Sequence, residues 1–203
     1  MKRVKKDKRN PTTYEIHPLY AERYSPRAFS DEGVSREAVA SMLEAARWAP
    51  SCANEQPWVF FVARREESED FEKLASLLDE GNSRWAKSAP VLVVGAARTQ
   101  WARGGDNAYA AHDLGLATAQ LIGQAVALGL QAHPMAGFYA DRAREVLALP
   151  EDIAPLTMIA IGYAGDPSIL PEDLEARERA PRSRRPMDEI AFGARFNAPY
   201  LKD

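Results

Sequence analysis

Two short stretches place arginine among small polar residues at distant points of the chain. "ERYSPRAFS" carries Arg23, Tyr24, Ser25 and Arg27, and "APRSRRP" carries Arg182, Ser183, Arg184 and Arg185. A guanidinium group grips a phosphate through paired N–H donors, so two such clusters brought together would make a phosphate clamp. The alternative is two solvated surface patches, where arginine is common. A third stretch, "RWAPSCANEQPWVFFV", sets Ser51, Cys52, Asn54 and Gln56 between two tryptophans and two prolines. That is more polar specification than a chain reversal needs.

Other chemistries lack their residues. His17, His112 and His133 are scattered and there is one cysteine, so no metal-ligand spacing is present. There is no Walker loop and no glycine-rich dinucleotide fingerprint after a strand, and "RGGDN" reads as a turn. No nucleophile elbow or catalytic-cysteine signature surrounds a serine or Cys52.

At 203 residues, 46% hydrophobic and 27% charged, the chain has the composition of one globular domain with a real core. A formal charge of −3 gives no overall attraction to nucleic acid. One cysteine cannot form an internal disulfide and suits a reducing, cytoplasmic setting. "MKRVKKDKRN" is basic, but no apolar run follows, so it reads as neither a signal peptide nor a membrane anchor. Residues 1–20 are expected to form a mobile, solvated arm, and residues 21–203 a single domain with its tail.

The elements that must position the polar residues can be read from periodicity. "SREAVASMLEAARWAP" is a helix with Ser35 as N-cap, and Pro50 stops it before Ala49. "WVFFVA" is a strand, "FEKLASLLDEG" an amphipathic helix with Gly81 as its stop, and "APVLVVGAA" a central strand covered on both faces. A long, nearly all-apolar helix runs from about Tyr109 to Leu128 and ends at Gly129. Asp113, Gln120 and Gln124 interrupt it, which makes it a core helix and not a bilayer span. "LQAHPMAGF" is a short strand entering a turn, "DRAREVLAL" a helix capped by Asp141, and "LTMIAIGYA" a buried strand. The proline- and arginine-rich tail has little periodicity and is expected to wrap over a body or a partner. Strands and helices without regular alternation indicate an α+β layer fold.

Taken in order, "RYSPRAF", the first helix, "ARWAPSCANEQPWVFFV", "HPMAGF", and "IGY" followed by "RSRRPMDEIAF" resemble the flavin-dependent nitroreductase family. The resemblance runs from Arg23 to about Phe192. It implies a nitroreductase-like α/β/α sandwich with a central, mainly antiparallel sheet, assembled as an intertwined homodimer with two FMN molecules in the interface. Arg23, Ser25 and Arg27 then match a motif whose basic and hydroxyl side chains contact phosphate, ribityl and flavin pyrimidine, with Tyr24 acting through its main chain. Arg182 and Arg184 match a basic pair that contributes to phosphate and ribityl binding, and Arg185 is a solvated neighbour. Pro50, Ser51, Cys52 and Asn54 would touch the flavin held mainly by the other subunit, with Gln56 and Trp58 locking the turn to its own. Cys52 departs from the family, which commonly has a hydroxyl there, and is read as a packed, inert thiol.

The resemblance also implies that Pro134 and Met135 pack behind the isoalloxazine and that the N–H of Ala136 or Gly137 points at flavin N5. A tight turn needing positive φ at Gly137 is a compatible reading of the same residues. Asn82 matches a polar position near the ring, and helix capping is its alternative. The activity implied is hydride transfer from NADH or NADPH to an electron-poor small molecule (nitroaromatic, quinone or enone) by a ping-pong mechanism. Arginine near the ring would favour the reduced, negatively charged flavin. The alternatives are a specialised flavin enzyme such as a reductive dehalogenase, or a flavin-binding protein without turnover.

Overall fold

The run of apolar residues in "APVLVVGAA" lies in the middle of the sheet because both of its faces must be covered. The computed structural model describes residues 10–201. Four antiparallel strands, β1 (Trp58–Arg64), β2 (Val91–Arg98), β3 (Gln131–Met135) and β4 (Ile153–Gly162), are ordered β1-β2-β4-β3. Side chains alternate across a strand, and here the alternation feeds two cores. Leu92, Val94, Met158 and Ala160 face one cluster with Phe29, Phe71, Leu74, Leu77 and Trp85. Val91, Val93, Ile159 and Ile161 face a second with Met42, Ala46, Ala117, Leu121 and Ala125.

The second core is roofed by α2 (Arg36–Arg47) and α5 (Ala110–Ala127). Ser35 caps α2, its Oγ accepting from Ala38 N–H at 3.2 Å, and the helix ends before Pro50 as expected. Gly129, at φ 76°, ends α5 in a left-handed turn in which Leu130 N–H donates to Ala125 O at 2.8 Å. No helix among the described residues is long and apolar enough to cross a membrane. The other face carries α3 (Ser68–Ala75), α4 (Glu80–Ser83), α6 (Ala140–Val146) and α7 (Glu172–Arg179). Pro134 is tolerated in β3 because that strand is an edge, where a missing N–H breaks no ladder between two neighbours.

Several expectations are corrected. "FEKLASLLDEG" is not one helix: α3 stops at Ala75, and Gly81 lies inside α4. Tertiary pairing overrides the local pattern, since Leu78 bridges Phe138 and Leu77 O accepts from Tyr139 N–H at 2.8 Å. Asp141 does not cap α6; it lies in the first turn, where it complements the helix dipole. α7 has a weak apolar stripe and escaped the periodicity reading, although Glu172, Asp173 and Glu175 at its start and Arg177 and Arg179 at its end are helix signals. Residues 1–9 of the expected arm lie outside the described residues. Beyond them the chain folds back on the body: Asn10 N–H donates to Ala21 O at 2.7 Å, and α1 (Pro18–Glu22) packs on α5.

Gly165 shows how tightly the Arg23–Ser30 segment is held. A Cβ there would lie 2.5 Å from Phe29 O and 2.6 Å from Phe29 C, backbone atoms that cannot rotate aside. Gly165 N–H also donates to Ala28 O at 2.9 Å. Gly165→Ala is expected to cost about 1–3 kcal/mol in urea unfolding, the scale of overpacking in a close-packed interior.

Candidate functional site

The segment after α1 is laid along the edge of β3 by side chains, not by a strand ladder. Gln131 spans it with both ends of its amide: Oε1 accepts from Tyr24 N–H at 3.0 Å, and Nε2 donates to Glu22 O at 3.3 Å. His133 Nδ1 meets Pro26 O at 2.8 Å, so Nδ1 carries the proton. Its ring packs on Trp85 with centroids 4.5 Å apart. From α7, the buried Glu178 accepts from Arg27 N–H at 3.1 Å and lies 3.8 Å from Arg27 Nη1.

The tail's arginines come to this same edge. Arg182 Nη1 donates to Arg23 O at 3.1 Å, and its guanidinium lies over the Tyr24 ring at 5.3 Å. Arg23 Nη1 donates to Ser25 Oγ at 3.3 Å. Burial pushes the Arg23 pKa down, and the charges of Arg182 and Arg184 push it further. Burial and Arg184 act on Arg182 the same way. The two arginine clusters therefore meet, and a dianionic phosphate among them would turn mutual repulsion into attraction. Tyr24 is raised to about 12, by burial first and then by Glu178.

The turn after α2 is a separate assembly. Ala53, Asn54 and Gln56 have φ of 50°, 57° and 49°, a region that non-glycine residues enter at a cost. Internal hydrogen bonds hold it there: Asn54 N–H to Ser51 O at 3.1 Å, Gln56 N–H to Ser51 Oγ at 3.0 Å, and Gln56 Nε2 to Asn54 O at 3.0 Å. Two carboxylates pin it to neighbouring elements. Asp113 Oδ2, in the first turn of α5, accepts from Cys52 N–H at 2.9 Å, and Glu55 Oε2 accepts from Ala102 N–H at 3.1 Å. Cys52 is a half-buried free thiol.

The third assembly follows β3. Met135 is buried, Phe138 N–H donates to Ala136 O at 3.1 Å, and Gly137 O accepts from Asn82 Nδ2 at 2.9 Å and from Asp79 N–H at 3.4 Å. Gly137 does not have the expected positive φ; a Cβ there would meet Asn82 Nδ2 at 2.6 Å and the Asp79 carboxylate, so both side chains would have to shift to admit one. Asn82 is not a side-chain cap either. Asp79 caps α4, and both ends of the Asn82 amide are used, Nδ2 on Gly137 and Oδ1 by Trp85 Nε1 at 3.2 Å. Phe138 to Arg142 line an open cleft of about 610 Å³ directly after this turn.

One chain does not assemble all three. The Cys52 turn leads into β1, one sheet edge, whereas the arginines and Ala136–Gly137 belong to β3, the other. Three strand spacings separate these edges, roughly 14 Å. The sequence reading missed Glu178, Gln131 and Asp113 as members of these assemblies. In the sequence Asp113 and Glu178 are ordinary helix acids; only their burial in the fold singles them out.

His133 supplies a pH dependence with a definite sign. Burial lowers its pKa from 6.5 to about 4, the hydrogen bond to Pro26 opposes that shift, and Arg27 and Arg23 reinforce it. Between those two values the unfolded chain binds more protons than the folded one. Stability is thus full above about pH 6.5 and falls by about 2–3 kcal/mol as the pH drops towards the folded pKa. Urea unfolding at pH 7 and pH 4.5 checks this, and His133→Phe should flatten the difference.

Comparison with known proteins agrees with this geometry. The Nitroreductase family profile matches residues 20–81 and 66–163, which include Arg23 to Arg27, the Cys52 turn and the Ala136–Gly137 turn. An uncharacterized 15.4 kDa protein of Mycolicibacterium smegmatis is 38% identical over 134 residues, 64% of this chain and 87% of that protein. An Archaeoglobus fulgidus protein with the provisional name NADH dehydrogenase/NAD(P)H nitroreductase is 28% identical over 154 residues, 71% of this chain and 82% of that protein. Among solved structures, an oxidoreductase containing FMN superposes with a TM-score of 0.88 at 38% identity, covering 96% of this chain and 100% of the other. An FMN-dependent nitroreductase of Clostridium difficile R20291 gives 0.60 at 27% identity, covering 70% and 84%. With the profile spanning more than half of its length, the chain belongs to the nitroreductase family of oxidoreductases.

Proposed function

We propose that this protein binds FMN and uses it to pass hydride from NADH or NADPH to an electron-poor acceptor, a nitroaromatic, quinone or enone. The observation that carries this reading is the meeting of Arg23, Arg182 and Arg184 beside Ser25 and Arg27. That basic cluster on a sheet edge fits a phosphate monoester on a polar chain, and the structural neighbours named for FMN supply the ring. When bound, the flavin would supply the two-electron chemistry, accepting hydride from one substrate and yielding it to the next.

The chain's own residues do the rest. Arg23, Arg27, Arg182 and Arg184, with Ser25 and the Tyr24 main chain, would hold phosphate and ribityl. Pro134 and Met135 would back the ring, with the Ala136 or Gly137 N–H offered to N5. The Ala136 carbonyl, in the same peptide as the Gly137 N–H, accepts from Phe138 N–H at 3.1 Å, and the Gly137 carbonyl of the next peptide is engaged by Asn82 and Asp79, so the turn is held before any ligand arrives. Asn82 serves by that contact. Pro50, Ser51, Cys52 and Asn54 would approach the ring from a second copy of the chain, because within one chain they lie at the other sheet edge.

That separation supports a homodimer. Ile190, Phe196 and Tyr200 of the tail are 58%, 77% and 75% exposed, and a shallow groove of about 240 Å³ lies between Leu19, Tyr20, Ala45 and Gly123. Both are surfaces a second copy would cover. With one open ring face, nicotinamide and acceptor would use it in turn. The setting proposed is the cytoplasm, with residues 21–203 acting as one flavin-binding unit.

Equilibrium titration with FMN tests the pocket. Arg23→Ala or Arg184→Ala should weaken binding by about 1.5–3 kcal/mol, and Arg185→Ala by much less. Equal losses at all three positions would sink the assignment. Anaerobic mixing with NADH or NADPH should bleach the bound flavin, and persistent yellow colour would mark a binder without turnover. Double-reciprocal plots at several acceptor concentrations should be parallel. Sedimentation should find a dimer with no folded monomer at micromolar concentration, as for obligate interfaces above ~2,000 Å².

A further inference from the structure

We propose that Asp113 is a positioning residue for the flavin-contacting turn: through the Cys52 N–H it fixes where the main chain of Pro50 to Asn54 stands relative to α5. This rests on the function proposed above, since it concerns the part of the chain that would touch the ring.

Asp113 is 1% exposed, so its carboxylate has given up water and must be satisfied by protein. Both oxygens are engaged. Oδ2 takes the Cys52 N–H at 2.9 Å, and Oδ1 lies 3.0 Å from Nδ1 of His112, whose side chain is largely exposed. Its place in the first turn of an 18-residue helix adds the favourable end of the helix dipole. A backbone N–H given to a buried carboxylate is a charge-assisted bond, stronger than any bond internal to the turn.

The turn needs such an anchor. Three of its residues, Ala53, Asn54 and Gln56, stand at positive φ without being glycine, a conformation that persists only where its surroundings enforce it. The bonds among Ser51, Asn54 and Gln56 set the turn's internal shape but not its location. Besides the chain's own run from α2 into β1, two outside hydrogen bonds among the described residues locate residues 51–56. Glu55 with Ala102 reaches an exposed loop, and Cys52 with Asp113 reaches the rigid core helix. The buried contact governs placement because α5 cannot shift without disturbing Leu121, Ala117 and the second core. Cys52 therefore acts here through its main chain, which is independent of the thiol.

Three variants probe the same bond, two from the acceptor side and one from the donor side. Asp113→Ala removes the acceptor, and Asp113→Asn keeps shape and an acceptor oxygen without charge. Cys52→Pro removes the donor, and the extended Ser51, at φ −144° and ψ 157°, suits a following proline. Hydrogen exchange on the apoprotein should show residues 51–56 exchanging about 10- to 100-fold faster in Asp113→Ala, less so in Asp113→Asn, with β2 and α5 protection kept. In the FMN-loaded protein, Asp113→Ala and Cys52→Pro should slow flavin reduction about 10-fold or more and alter the visible circular dichroism of the flavin. For Asp113→Ala, which removes no flavin contact, the FMN dissociation constant should stay within about 3-fold, because the arginines set it. Unchanged exchange at residues 51–56 overturns the anchoring. Faster exchange with an unaltered flavin signal and reduction rate overturns the positioning role. A wild-type protein that binds no FMN would refute the proposed function instead, while exchange still decides whether Asp113 holds the turn.

Discussion

The β2 and β4 pair buries both of its faces, and most of the structure follows from that. Val91 to Ala97 is buried throughout, as is Met158 to Gly162, so the middle of the sheet has no room for a charged group. Polar side chains with chemical potential are pushed to the two edges. The arginines and the Ala136–Gly137 turn gather beside β3, and the Cys52 turn sits before β1. The separation of these assemblies within one chain is therefore a consequence of core building. A ligand needing both would have to lie between two copies.

At the β3 edge, the fold holds like charges close together by fixing the backbone beneath them. Gln131, His133 and Glu178 each bond to the main chain of residues 22–27, not to the guanidinium tips alone. Arg23 and Arg182 are thereby kept near each other although burial and mutual repulsion both act against their charged forms. Trp85 packs on both His133 and Phe29, linking the support of the arginine cluster to the first core. Arg84 reaches Asp173 on α7, the helix that delivers Glu178 and leads to Arg182. The site's electrostatics and its supporting core are therefore one structure.

At the β1 edge the logic is different. There the backbone itself is unusual, and hydrogen bonds from Ser51, Gln56, Asp113 and Glu55 hold it in place. The Gly137 turn is a third solution, in which a missing side chain lets Asn82 and Asp79 approach the peptide. All three assemblies fix main-chain atoms in advance, which suits chemistry supplied by a cofactor and oriented by protein.

Much was legible in the sequence. The span of α5, the Ser35 cap and the central position of β2 followed from period, capping and apolar runs, which are local properties. The family was legible too, because "RYSPRAF" and "ARWAPSCANEQPW" hold distinctive residues at close spacing. What stayed hidden depends on contacts between distant segments. Leu77 and Leu78 leave their helical pattern to meet residues 138 and 139, and Gly137 has no positive φ but stands against the Asp79 and Asn82 side chains. Glu178 and Asp113 look like ordinary helix acids until burial gives them partners 151 and 61 residues away. Periodicity and propensity act over a few residues, so sequence alone determined the elements with a strong local pattern, such as α2, α5 and β2, and the inventory of reactive groups. Which groups meet was decided by the register and order of the sheet, which exist only after the chain has packed.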